Sequence, residues 1–279
     1  MNLMNSAANP IFFDRKLAVD DLWNRIYFEA EAAIKHDHTM SGFIYPAVLK
    51  HKNLRMAVIN RLVDRLYHQD LDQDVLRQTL TEAAATIKNF DEILSEDIAA
   101  VFDLDPACHR LMDALLYFKG FHALQTYRLA NALWQAGRID FSYYLQSRSS
   151  SVFQTDIHPA ATIGKGIFLD HATGLVIGET AVVEDHVSIL HSVTLGGTGK
   201  AGGDRHPKIR HGVLIGAGAK ILGNIEVGHC SKIASGSVVL KDVPAGVTVA
   251  GVPARIIGEA GCTEPARNMD QTLIAGDGI

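Results

Sequence analysis

From Ile157 onward an aliphatic residue returns every six positions, and few folds accept that period. The first run is Ile157, Ile163 and Leu169. The phase slips by two, and Ile177, Val183, Ile189 and Leu195 follow. After a longer break come Ile209, Ile215, Ile221, Val227, Ile233 and Val239. Six is neither the helical period nor the two-residue period of a strand. It marks a parallel β-helix in which three short strands make each coil and the aliphatic side chains stack inside the prism. Glycine follows the aliphatic residue at Gly164, Gly178, Gly196, Gly216 and Gly228, where the chain turns a tight corner. Coils of this kind rise by about 4.8 Å, the ordinary strand spacing. The period does not specify the hand of the coil.

Insertions into such a repeat map to loops on one face, often the binding face. The break at Asp170–Val176 holds Asp170 and His171. The break at Gly196–Lys208 reads as a mobile, glycine-rich loop that closes with Arg205, His206 and Lys208.

Residues 20–147 follow a different rule. Leu111, Leu115, Phe118, His122, Gln125, Leu129 and Leu133 lie on one helical stripe, as do Leu22, Ile26, Ala30 and Ala33, and Val58, Leu62 and Leu66. Pro46 and Pro106 are expected at helix breaks. The serines at 149–151 mark the change of pattern. The expected organisation is a helical domain over 1–147, a β-helix over 148–258 and a tail over 259–279. Gly261, Thr263, Glu264, Pro265, Arg267 and Asn268 are polar or structure-breaking, which predicts a disordered tail.

Composition narrows the function. A net charge of −5 without a basic run gives no footprint for nucleic acid. Met1–Pro10 lacks the basic start and apolar core of a signal peptide, and no apolar run is long enough to span a bilayer. Cys108, Cys230 and Cys262 are odd in number and widely spaced, so they form neither an evident disulfide framework nor a CxxC metal pair. A cytosolic protein is the default expectation.

Asp156, His158, Asp170, His171, Glu179, His191, Arg205 and His206 crowd into a short stretch, which stacked coils compress further. His171 is the candidate general base, because imidazole titrates near neutrality. Asp156, fifteen residues back and so nearly one coil away, is the candidate carboxylate that steadies the ring. Arg205 can grip a carboxylate with two parallel hydrogen bonds. Asp105 precedes Pro106 and is expected to cap a helix start. Lys220 and Lys232 suit a phosphate-bearing cofactor. Gly196-Gly197-Thr198-Gly199-Lys200 lacks the spacing of a phosphate loop and opens no helix.

Several segments together resemble bacterial serine acetyltransferase. They are Asp156-Ile157-His158-Pro159, Leu169-Asp170-His171-Ala172-Thr173-Gly174, Ser192-Val193-Thr194-Leu195-Gly196-Gly197 and Gly203-Asp204-Arg205-His206-Pro207-Lys208-Ile209. Gly251-Val252-Pro253-Ala254-Arg255, the helical Leu116–Gln125 and the closing Gly276-Asp277-Gly278-Ile279 also match. The resemblance implies an N-terminal helical bundle followed by a left-handed parallel β-helix. It implies acetyl transfer from acetyl-CoA to the hydroxyl of L-serine, as a step of cysteine synthesis inhibited by L-cysteine. It further implies His171 as base with Asp156 as dyad partner, Asp105 and Asp170 on the substrate ammonium, and Arg205 and His206 on its carboxylate. Gly197, Ala217 and Lys232 fall near CoA. Trimers with shared sites, paired into a dimer of trimers, follow from the same likeness. So does a complex with O-acetylserine sulfhydrylase through the C-terminal Ile279. No metal is expected.

Three other readings stay open on the sequence. A hexapeptide-repeat carbonic anhydrase would bind zinc through three histidines of neighbouring chains, such as His171, His191 and His206. The β-helix alone is also compatible with a non-catalytic scaffold, or with an acetyltransferase acting on a sugar or xenobiotic.

Overall fold

The computed structural model describes residues 18–199 and 202–271. The N-terminal domain is all helical: α1 Val19–His36, α2 Ser41–Ile44, α3 Leu54–Leu66, α4 Gln73–Thr86, α5 Phe90–Leu104, α6 Leu111–Leu116, α7 Lys119–Gln135 and α8 Ile139–Phe153. The expected stripes are the buried ones. Leu22, Ile26 and Ala30 of α1 and Val58, Leu62 and Leu66 of α3 are all essentially inaccessible. Pro46 falls where α2 widens into a π-helical turn, Tyr45–Leu49, and Pro106 follows the end of α5.

The stripe drawn through Leu111–Leu133 is broken in two. Phe118 takes an extended backbone (φ −85°, ψ 109°) between α6 and α7. The reason lies at Gly120, where a Cβ would sit 2.0 Å from the carbonyl oxygen of Leu169. The helix axis is reset so that this glycine can press on the β-helix.

The last helix runs through the three serines to Phe153, past the expected boundary at 147, and the β-helix starts at Thr155. Its strands are β1 Thr155–Ile157, β2 Thr162–Ile163, β3 Phe168–Leu169, β4 Leu175–Ile177, β5 Val182–Val183, β6 Ser188–Ile189, β7 Thr194–Gly196, β8 Lys208–Ile209, β9 Leu214–Ile215, β10 Lys220–Leu222, β11 Glu226–Val227, β12 Lys232–Ile233, β13 Val238–Val239, β14 Val247–Gly251 and β15 Ala254–Glu259. Three parallel sheets result. The first is β1-β4-β7-β10-β13, the second β2-β5-β8-β11, and the third β3-β6-β9-β12-β14, closed by antiparallel β15. The six-residue pattern is the core itself. Ile157, Ile177, Leu195, Ile221 and Val239 stack in register within the first sheet. Leu169, Ile189, Ile215, Ile233 and Val249 stack within the third.

The two domains share their packing. Leu124 and Tyr127 of α7 belong to the β-helix core, and Phe168 of β3 belongs to the helical core. Tyr127 Oη donates to the carbonyl of Ala161 at 2.5 Å, and Asn131 Nδ2 to that of Pro159 at 2.7 Å.

The tail is not disordered as far as Gln271. Ala260, Pro265 and Ala266 are buried, and α9 Pro265–Asn268 lies against the third sheet. Thr248 Oγ1 donates to Glu259 O, Ser188 Oγ to Ala266 O and Lys232 Nζ to Asp270 O. Polar composition misled here because a few backbone groups of the segment answer buried side chains of the β-helix. Ile279 lies outside the described residues.

Candidate active site

The prism has three edges, and the candidate residues divide among them. His171 projects from the edge where the third sheet of one coil turns into the first sheet of the next. Its φ is +53°, followed by +56° at Ala172 and +73° at Gly174, a strained stretch for non-glycine residues. Local bonds hold the turn: Thr173 N–H donates to His171 O at 2.8 Å, Gly174 N–H to Gln154 O at 2.8 Å and Leu175 N–H to Ala172 O at 3.1 Å. Ala172 is buried beneath, and the imidazole stands out with its side chain 73% exposed.

Around it lies a cavity of about 540 Å³. Asp170 Oδ1 is 3.6 Å from His171 Nε2, an ion-pair rather than a hydrogen-bond distance. The His191 ring, one coil on, is 6.0 Å from that of His171, centroid to centroid. The helical domain supplies the opposite wall with Asp105 and Lys119. Asp105 does not cap a helix start. It follows the C-terminus of α5, and its Oδ1 accepts from Ala107 N–H at 2.8 Å. Lys119 Nζ donates to Thr173 Oγ1 at 2.5 Å, which ties α7 to the His171 turn. Burial raises the Asp170 carboxyl above the ordinary range; His171 and His191 oppose this, and Asp105 adds to it. Two carboxylates in a half-buried cleft form a seat for a small cation, with an imidazole alongside to take a proton.

The edge between the first and second sheets carries a second cluster. Arg205 donates to Glu179 Oε2 at 2.6 Å and to Gly203 O at 3.1 Å. His206 is buried on Gly178, where a Cβ would lie 2.0 Å from its ring. Thr180 N–H donates to His206 Nδ1 at 3.2 Å, so the neutral ring carries its proton on Nε2. Burial, and then Arg205, lower the pKa of that ring. Gly197 borders the same cluster, its notional Cβ 3.5 Å from Arg205 Cγ.

Asp156 lies between these edges, on the outer face of the first sheet. The single chain does not close the expected dyad with His171. Gln146 Nε2 donates to Asp156 Oδ1 at 2.7 Å, and Asp156 does not line the cavity. Spacing explains the difference. Asp156 pairs in register with Val176, twenty residues on, so a separation of fifteen places it along the flat of the sheet rather than above His171. Ala217 continues the His171 edge: Gly218 N–H donates to His191 O and Gly236 N–H to Ala217 O. Lys232 is on the outer face of the third sheet, covered by the segment that ends at Asp270.

Lys119 and Thr180 were not singled out by the sequence. The only signal for Lys119 was a glycine in the middle of a helical stripe. Among the described residues no group of three or more His, Cys, Asp or Glu side chains is arranged to hold a metal ion. No described helix is long and apolar enough to cross a membrane.

Residues 22–126 match the model of the serine acetyltransferase N-terminal domain, and residues 206–241 match bacterial transferase hexapeptide repeats. A serine acetyltransferase of Escherichia coli K12 is 51% identical over 265 residues, which cover 92% of this chain and 97% of that protein. A crystal structure of serine acetyltransferase in complex with coenzyme A from Brucella abortus S19 is 64% identical, with a TM-score of 0.86, and covers 88% of this chain and 98% of that one. A serine acetyltransferase in complex with cysteine superposes with a TM-score of 0.90 at 47% identity, covering 92% of this chain and all of the other.

Proposed function

Because the chain belongs to the serine acetyltransferase family, we propose that it moves acetyl from acetyl-CoA to the hydroxyl of L-serine, giving O-acetyl-L-serine and CoA. The observation that carries this reading is the exposed His171 imidazole beside two carboxylates, Asp105 and Asp170, in one cavity. The carboxylates take the ammonium of serine and bring its hydroxyl to the imidazole. His171 removes the hydroxyl proton as the oxygen attacks the thioester carbonyl, and the imidazolium returns that proton to the departing thiolate. No acyl-enzyme is needed, since the attack occurs with both substrates bound. Backbone N–H groups near Gly196 and Gly197 are suited to stabilising the oxyanion. Coenzyme A runs along the edge that carries His171 and Ala217, towards Lys232.

The carboxylate grip comes from a neighbouring copy. His171 and the Arg205–His206 pair stand at opposite margins of the first sheet, whose strands β1, β4 and β7 are each three residues long before the corners are counted. At about 3.3 Å per residue, one serine cannot touch both within a chain. A trimer that sets the His171 edge of one copy against the first sheet of the next brings Asp156, Arg205 and His206 to the cavity. The helical domains then pair two trimers. In this arrangement Asp156 exchanges Gln146 for the neighbouring imidazole and becomes its dyad partner. The cytosolic enzyme serves cysteine synthesis, and L-cysteine, with the same ammonium and carboxylate, competes for the serine site.

The decisive experiment compares acceptors. Purified protein with acetyl-CoA should release CoA with L-serine and not with amino sugars or xenobiotic alcohols. Turnover that prefers a sugar, or none with any acceptor, would overturn the assignment.

A further inference from the structure

The third edge of the prism, between the second and third sheets, carries a chemistry that acetyl transfer does not use. Gly166, His186, Gly212, Cys230 and Gly246 occupy it in succession, all with φ between +54° and +70°. Each stands one coil above the last. His186 N–H donates to Lys165 O, Gly212 N–H to Asp185 O, Cys230 N–H to His211 O and Gly246 N–H to His229 O. Cys230 is the thiol in this column, and a Cβ on Gly212 would meet its sulfur at 3.0 Å.

The segment after β15 runs back down this edge. Ala260 N–H donates to Gly246 O at 2.8 Å, and Ala266 N–H donates to Gly212 O at 3.3 Å. Gly246 lies one coil above Cys230 and Gly212 one coil below. The residues between Ala260 and Ala266 must therefore pass the level of Cys230, and the second of them is Cys262. Both thiols are partly exposed. Burial, with Glu264 and then Cys262 nearby, raises the Cys230 thiol above its usual range, in keeping with this proximity. Cys108 is separate, deep in the helical core.

We infer that Cys230 and Cys262 form a dithiol site that closes to a disulfide in exchange with a low-molecular-weight disulfide, fastening the 260–270 segment to the β-helix. One cysteine thiolate attacks a sulfur of the oxidant and expels the first small thiolate. The second cysteine thiolate then attacks the mixed disulfide at the protein sulfur and expels the other. Two small thiols leave with the two protons, and the electrons of the two cysteines reduce the oxidant. The cross-link ties the chain beyond Cys262 to a rigid coil. The segment over Lys232 is already seated in the dithiol state; the disulfide locks it there, and reduction restores its ordinary local opening. This inference rests on the backbone ladder and is independent of the acetyl-transfer reading.

The test equilibrates full-length native protein with excess glutathione disulfide, then unfolds, alkylates and maps it without reductant. The expected result is loss of the Cys230 and Cys262 thiols, a linked peptide containing both, and a Cys108 that still alkylates. Exchange of the Ala260 and Ala266 amides should slow by about tenfold or more on oxidation and be restored by reductant. The Cys262→Ser variant should show neither change, and its unaltered circular dichroism would confirm that it folds. Recovery of both cysteines as alkylated thiols, or as separate glutathione adducts, would overturn the site. A linked peptide with unchanged amide exchange would overturn the tether.

Discussion

The guanidinium of Arg128 lies 2.8 Å from the carboxylate of Asp97, and both side chains are buried where the helical domain meets the β-helix. The pair is a junction of several bonds. Arg128 also donates to the carbonyls of Gly164 at 2.7 Å and Ile163 at 3.3 Å, and Asp97 accepts from Ile167 N–H at 3.2 Å and Gln125 Nε2 at 2.9 Å. These bonds fix the corner that leads into β3 and, three residues further, into Asp170 and His171. Removing one partner strands a buried charge. Arg128→Met should destabilise the protein by about 3–5 kcal/mol in urea unfolding. A loss below 1 kcal/mol would show that the junction relaxes around the gap.

His171→Asn separates chemistry from backbone strain, because asparagine tolerates the positive φ of this turn. The variant should keep its circular dichroism and thermal midpoint while kcat falls by at least about 10²-fold. Near-native turnover would remove His171 from the mechanism.

Arg205→Ala should raise the KM for serine and weaken inhibition by cysteine, with the KM for acetyl-CoA little changed. Truncating a charge-assisted partner is worth about 2–5 kcal/mol. If the site is shared between copies, refolding His171→Asn together with Arg205→Ala should restore activity, since some mixed interfaces regain both residues. Two inactive variants that stay inactive when mixed would contradict a shared site.

His122 reports on acid stability. Its ring is wholly buried, Nε2 meets Leu115 O at 2.7 Å, and burial lowers its pKa to about 3. The folded pKa is depressed below the unfolded value near 6.5, so the unfolded chain binds a proton that the native state refuses. Stability is fully present above about pH 6.5 and is lost as pH falls towards 3, by about 1.4 kcal/mol per pH unit from this group. His122→Gln keeps a donor for Leu115 O and cannot titrate. Its unfolding free energy should fall less steeply between pH 6 and 4, and parallel profiles would refute the assignment.

Removal of Ile279 is expected to abolish the binding to O-acetylserine sulfhydrylase that the resemblance implies. Serine acetylation should be unaffected. Calorimetry with equal affinity for full-length and truncated chains would refute this partner.

The sequence by itself determined the prism. Thirteen aliphatic positions with a period of six have one solution that buries them all, and twelve of them are buried in the structure, with Ile163 packed at the margin. It also picked out Asp170 and His171 of the cleft, because an insertion in a strict repeat shows where side chains leave the core. Tertiary structure decided what those residues can reach. Whether Asp156 meets His171 depends on where each stands on the coil, and the register of β1 on β4 sets Asp156 on the flat of the first sheet while His171 stands at its edge. Asp105 and Lys119 enter the cleft because Gly120 lets α7 press on Leu169, a contact between segments about fifty residues apart. The 259–270 segment orders because buried Ser188, Lys232 and Thr248 find its carbonyls. Local pattern encodes what each residue must bury, whereas distance across the prism is a property of the closed coil.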